Sequence, residues 1–209
     1  MPARTEKIWL DGPAGCLEAM LETPADPAGV AVVCHPHPEG GGTMRNKVVH
    51  TLTRAFARSG FTTLRFNFRG TGASEGSFDG GDGEVEDALA ALTFMRARQT
   101  QGSSWLAGFS FGAAIAIRAA VRAPVDGLIS VAPAARRFAS GLPVQPHCPW
   151  LIVQGDADEL VDVEETISWV NELEPGPELL VLDGVDHFFH GRLNELRNAA
   201  ADFIERSME

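Results

Sequence analysis

The feature that most constrains this chain is an alternation. Short, nearly unbroken apolar runs recur at residues 30–34, 62–66, 104–109, 128–132, 150–153 and 178–182, and longer stretches of helical period lie between them. A strand that is apolar on both faces has to be covered on both, as in a parallel sheet layered between helices. The alternation therefore predicts an α/β fold with a mostly parallel central sheet and helices on both faces. At 46–59, Val48, Val49, Leu52, Ala55 and Phe56 form one stripe that Gly60 ends. At 84–98, Val85, Ala88, Leu89, Leu92 and Met95 share a face. The acids Glu84, Glu86 and Asp87 fall in its first turn and Arg96 and Arg98 in its last, the charge placement a helix dipole favours. Leu193, Leu196, Ala200, Phe203 and Ile204 give a closing helix. Residues 7–21, broken by Asp11-Gly12-Pro13-Ala14-Gly15, read as a hairpin at an antiparallel edge. With no repeat and no linker-like tract, 209 residues make one domain, 1–209.

Chemistry enters at Gly108-Phe109-Ser110-Phe111-Gly112, which follows an apolar strand run and precedes the helix former Ala113-Ala114-Ile115-Ala116-Ile117. That is the strand–turn–helix context of a Gly-x-Ser-x-Gly nucleophile elbow. The turn is sharp enough that residues two away on each side must be small, and both are glycine. A serine hydroxyl needs a neighbouring base. Of the six histidines, His187 follows the last strand run, where sites of parallel sheets collect. His190 is its rival; His50 and His147 read as solvated. For the group that orients the base, the loop after 150–153 offers Asp156, Asp158 and Asp162. Asp162 is explained as a helix cap before Glu165. Asp158, at the loop apex, is favoured over Asp156. Asp183 and Asp186 are too close in sequence to reach the far nitrogen of His187.

The order Ser110, Asp158, His187 and the segments CHPHPEGGGTMRNKVV, RFNFRGTGASEG, GFSFG, QGDADELV and GVDHFFHG resemble the α/β-hydrolase superfamily along the whole chain. Within it the chain resembles the small bacterial hydrolases related to dienelactone hydrolases and short acyl esterases. The resemblance implies an α/β-hydrolase fold and a serine hydrolase in which Ser110, Asp158 and His187 are nucleophile, acid and base. Dienelactone hydrolases carry a cysteine nucleophile, so lactone specificity does not transfer to Ser110. The resemblance makes 65–76 a loop beside the site, with Arg69 either bracing that loop or touching substrate. The stretch 133–149 leaves room for little or no lid, which favours small esters or thioesters over long-chain lipids.

Acyl transfer also needs donors for the oxyanion: an N–H after the nucleophile, and one from the loop after an early strand. Phe111 supplies the first. The second falls in Cys34-His35-Pro36-His37-Pro38-Glu39-Gly40-Gly41-Gly42. Pro36 and Pro38 have no N–H, so His37 is the expected backbone donor, with Glu39 or Gly40 as alternatives. His35, His37 and Glu39 suggest a metal only weakly, without a helical partner set. Gly40-Gly41-Gly42-Thr43 lacks the lysine spacing of a phosphate loop, and Lys47 lies too far along. No cofactor is expected.

A net charge of −11 argues against nucleic acid and against an anionic membrane surface. No apolar run approaches the roughly 20 residues of a membrane span, and the N-terminus lacks a signal-peptide core. Three widely spaced cysteines, Cys16, Cys34 and Cys148, fit isolated thiols in the cytoplasm. The expected partner is a small-molecule ester, and the oligomeric state is unknown. Two other functions share these residues: an aminopeptidase or acyl-peptide hydrolase, which usually brings an additional gating domain, and a non-catalytic binding protein on the same fold.

Overall fold

The computed structural model describes residues 4–99, 101–139 and 145–209. The chain opens with β1 (Arg4–Gly12), β2 (Gly15–Thr23) and β3 (Gly29–Cys34), followed by α1 (Lys47–Arg58), β4 (Phe61–Phe66) and α2 (Asp82–Arg98). It continues through β5 (Ser103–Phe109), α3 (Phe111–Arg122), β6 (Gly127–Val131), the one-turn α4 (Ala135–Phe138) and β7 (Trp150–Gly155). The last elements are α5 (Val163–Asn171), β8 (Glu178–Leu182) and α6 (Leu193–Ser207).

The strands form one sheet in the order β1-β2-β4-β3-β5-β6-β7-β8. β2 pairs antiparallel with both β1 and β4, and every pairing from β4 to β8 is parallel. The expected edge hairpin is therefore present, turning through Pro13 and Ala14. β3, β4, β6 and β7 are buried at every residue, as two-sided cover requires. α1 and α6 close one face, where Phe56, Trp105, Phe109, Leu196 and Ile204 meet. α2 and α3 close the other, over Leu64, Leu92, Met95, Ile115 and Ile152.

α2 departs from its expected charge pattern. Glu86 stays at the surface against Arg122, but Glu84 and Asp87 are fully buried. Asp87 takes Arg69 in a two-pronged pair, with Arg69 Nη2 to Asp87 Oδ1 at 2.7 Å and Nε to Oδ2 at 3.1 Å, and also accepts the Arg69 backbone N–H at 2.9 Å. Arg69 is thus a loop brace, and it lies outside the cavity beside Ser110. Glu84 accepts from the N–H groups of Gly81 at 2.7 Å and Asp79 at 3.2 Å. Both carboxylates organise the loop that enters α2, and their burial outweighs any role toward the helix dipole.

The sheet order puts β3 beside β5, with Cys34 opposite Gly108. This is where the chain's winding reverses, and the carboxyl ends of neighbouring strands part there into a crevice. The loop after β3 and the elbow after β5 are therefore side by side.

Candidate active site

Ser110 sits at the tip of the turn from β5 into α3 with φ 54° and ψ −117°, a left-handed conformation that costs a non-glycine residue energy. Its N–H is tied to Val131 O at 2.9 Å. The turn is tight enough that a Cβ on Gly112 would lie 2.3 Å from His35 O and 2.5 Å from Cys34 O. Only glycine lets the elbow touch the end of β3. At the start of α3 the first N–H groups lack helical partners, so Phe111 N–H is free to meet negative charge.

The loops after β7 and β8 bring the other two groups. His187 Nε2 is 3.1 Å from Ser110 Oγ, and His187 Nδ1 is 2.8 Å from Asp158 Oδ2. A carboxylate only accepts, so the geometry assigns the proton to Nδ1 and leaves Nε2 to receive the serine proton. The His187 and Asp158 side chains are buried. Asp158 Oδ1 accepts the N–H groups of Leu160 and Val161 at 2.8 and 2.7 Å. Burial pushes its carboxyl pKa up, but the hydrogen bonds from His187, Val161 and Leu160 outweigh this and hold it below the usual range. The rings of Phe109 and Phe188 pack on His187 at 4.9 and 5.1 Å.

The rival residues are elsewhere. His190 is exposed and pairs with Asp186 at 2.7 Å. Asp156 accepts from Gly184 N–H at 2.6 Å, pinning the loop before His187 instead of the imidazole. Asp162 caps α5 by accepting from Glu165 N–H at 2.9 Å, as its spacing indicates. Gln154, whose Nε2 donates to Asp158 Oδ2 at 3.0 Å, carried no signal in the sequence; it reads as one more residue of a buried strand.

The loop after β3 separates its two histidines. His35 is fully buried, with Nδ1 2.6 Å from Pro36 O and Nε2 accepting from Phe68 N–H at 3.0 Å. Both ring nitrogens are used within the protein, and among the described residues no cluster of three metal-ligating side chains exists. His37 instead lines a cavity of about 330 Å³ together with Ser110, Phe111, Phe138, Leu160 and Trp169. Its ring packs against Phe78, Phe111 and Phe138 at 4.9, 5.1 and 5.6 Å. Beside the backbone N–H expected to serve the oxyanion, the imidazole thus joins four segments at the cavity wall.

A family model described as "Serine aminopeptidase, S33" matches residues 25–146. The chain belongs to that family. Its similarity extends to solved α/β serine hydrolases. One from Xanthomonas campestris, described as lacking a lid, is 43% identical, with 99% of this chain and 96% of that chain covered and a TM-score of 0.93. An α/β serine hydrolase homologue from Coxiella burnetii is 47% identical over 94% of this chain and 96% of that one, with a TM-score of 0.89. An uncharacterized protein of Rickettsia prowazekii is 35% identical over 213 residues, 95% of this chain and 88% of that protein. This family member has the α/β-hydrolase fold in its lidless form. α4 is the described helix between β6 and β7, and residues 140–144 of that connection lie outside the described residues. Among the described residues no helix is long and apolar enough to cross a membrane.

Proposed function

We propose that this protein hydrolyses small carboxylic esters or thioesters through Ser110, His187 and Asp158. The observation that carries the reading is the hydrogen-bonded line Ser110–His187–Asp158 at the edge of an apolar-walled cavity. Ser110 Oγ attacks the acyl carbon while His187 Nε2 takes its proton. The N–H groups of Phe111 and His37 hold the oxyanion. His187 returns the proton to the departing alkoxide or thiolate as the carbon–heteroatom bond breaks. Water then attacks the acyl-enzyme with His187 again as base, and the second intermediate collapses to the acid and free Ser110. Asp158 holds the tautomer and stabilises the imidazolium. Phe111, Phe138, Leu160, Val161 and Trp169 form the apolar part of the cavity wall, which suits a small acyl group. The widely separated free thiols Cys16, Cys34 and Cys148 favour a cytoplasmic setting.

The test is labelling with a fluorophosphonate, followed by turnover of p-nitrophenyl esters from acetate upward. Wild type should be labelled on Ser110 and Ser110→Ala should not. Equal labelling of the two removes the assignment. The family description makes peptide cleavage the second reading; an aminoacyl p-nitroanilide hydrolysed more efficiently than every ester would favour it.

A further inference from the structure

We propose that His35 is a positioning residue that aims the His37 N–H at the oxyanion, an inference that rests on the esterase reading above. The Pro36–His37 peptide is trans. In a trans peptide the carbonyl and the following N–H point in opposite directions. Whatever fixes the Pro36 oxygen therefore fixes the direction of the His37 hydrogen. His35 Nδ1 lies 2.6 Å from that oxygen. A carbonyl can only accept, so Nδ1 carries the proton and donates it. Nε2 is then the acceptor for Phe68 N–H at 3.0 Å. The imidazole is locked in one tautomer between two backbone groups, one on the oxyanion loop and one on the loop after β4.

Two further observations pin the same peptide. A Cβ on Gly42 would lie 2.2 Å from Pro36 O, so the chain passes close behind that carbonyl and keeps it from turning. The next carbonyl, His37 O, accepts from Gly40 N–H at 3.1 Å and from Gly42 N–H at 3.0 Å. The peptides on both sides of the His37 Cα are thus held, while His37 N–H itself has no hydrogen-bond partner among the described residues. His37 shares the cavity with Ser110 and Phe111, and His35 O abuts Gly112 of the elbow. An unused donor between two held peptides, beside the nucleophile, is a donor available to substrate. Burial keeps the His35 ring neutral, as the two-way clasp requires.

Two substitutions separate positioning from mere support. His35→Asn keeps an N–H donor near the place of Nδ1 and lacks an acceptor that reaches Phe68. His35→Gln extends toward Phe68 and abandons Pro36 O. On p-nitrophenyl acetate, His35→Gln should lose about 100-fold in kcat with KM little changed, the scale of one oxyanion donor. His35→Asn should keep kcat within about tenfold of wild type even where its Tm is the lower of the two. Equal losses, or losses that follow Tm, overturn the proposal. A second measurement needs no variant: in the wild type the His37 amide proton should shift downfield when Ser110 is phosphonylated, and no shift overturns the proposal. Wild type that is neither labelled nor active on esters would instead refute the esterase reading, and that result is seen first.

Discussion

Gln154 Nε2 and His187 Nδ1 converge on a single oxygen, Asp158 Oδ2, at 3.0 and 2.8 Å. Gln154 also donates to Val161 O at 3.1 Å, so one amide at the end of β7 fixes both the carboxylate and the loop that carries it. Replacing it with leucine removes a donor to a charged group, a loss of about 1.5–3 kcal/mol. We expect Gln154→Leu to lower kcat by about tenfold or more. Gln154→Glu should be worse, because it sets a second carboxylate against Asp158. Steady-state kinetics with circular dichroism check this, and wild-type activity in the glutamate variant would contradict it.

Asp158 and Asp156 are two residues apart with separate tasks. Asp158→Asn leaves His187 with the wrong tautomer, a change that costs a triad enzyme about 10⁴-fold in kcat. Asp156→Asn retains an oxygen for Gly184 N–H and should cost less than tenfold. A reversed order in ester turnover would transfer the acid role to Asp156.

His37 can be dissected into ring and backbone. Its φ of −51° is close to the value proline imposes, so His37→Pro removes the N–H without forcing that torsion. We expect a fall of about 10²–10³ in kcat. His37→Ala retains the donor but empties the contacts with Phe78, Phe111 and Phe138, so its effect should fall mainly on KM and acyl-chain preference. Identical kinetics for the two variants would show that the backbone donor is not used.

Burial lowers the His35 pKa to about 4 against an ordinary 6.5. Below pH 6.5 the unfolded imidazole takes up a proton that the folded one refuses until about pH 4. The His35 contribution is thus complete above pH 6.5 and declines through that window, by about 3 kcal/mol in all. Urea unfolding at pH 7 and pH 4.5 should show the loss, and His35→Gln should flatten it.

Asp87 is buried against Arg69, so Asp87→Ala leaves a buried guanidinium with only the longer pair to Asp79, at 3.7 Å. The expected cost is about 3–5 kcal/mol, or roughly 10 °C in Tm for a chain of this size. A melting curve measures it directly; a shift under about 2 °C would mean that the pair contributes little.

The strand runs and the elbow were legible because each is written in contiguous residues, and Asp158 and His187 could be nominated because each follows such a strand run. Gly108 and Gly112 flank the serine in sequence, and their need arises from the same few residues of turn. What escaped depended on how loops fold back, which no periodic pattern records. Asp87 looks like a solvated first-turn acid until Arg69 arrives from 18 residues away, and Glu84 until the loop before the helix turns its own N–H groups onto it. Gln154 looks like one more residue of a strand until the loop folds Asp158 back over it. The imidazole of His37 gains its surroundings from three separate segments, so no local pattern announces it.

The hairpin at the start of the chain has a consequence of its own. β2 runs against β4 and occupies the outer hydrogen-bonding edge of the parallel sheet, and β1 then stands outermost with Arg4, Glu6 and Lys7 along it. Every residue of β4 is buried, so stripping the hairpin away would uncover a ready template for another chain. A shortened molecule would then offer its own copies both that bare edge and the apolar surface that Leu10, Leu17 and Leu21 now cover.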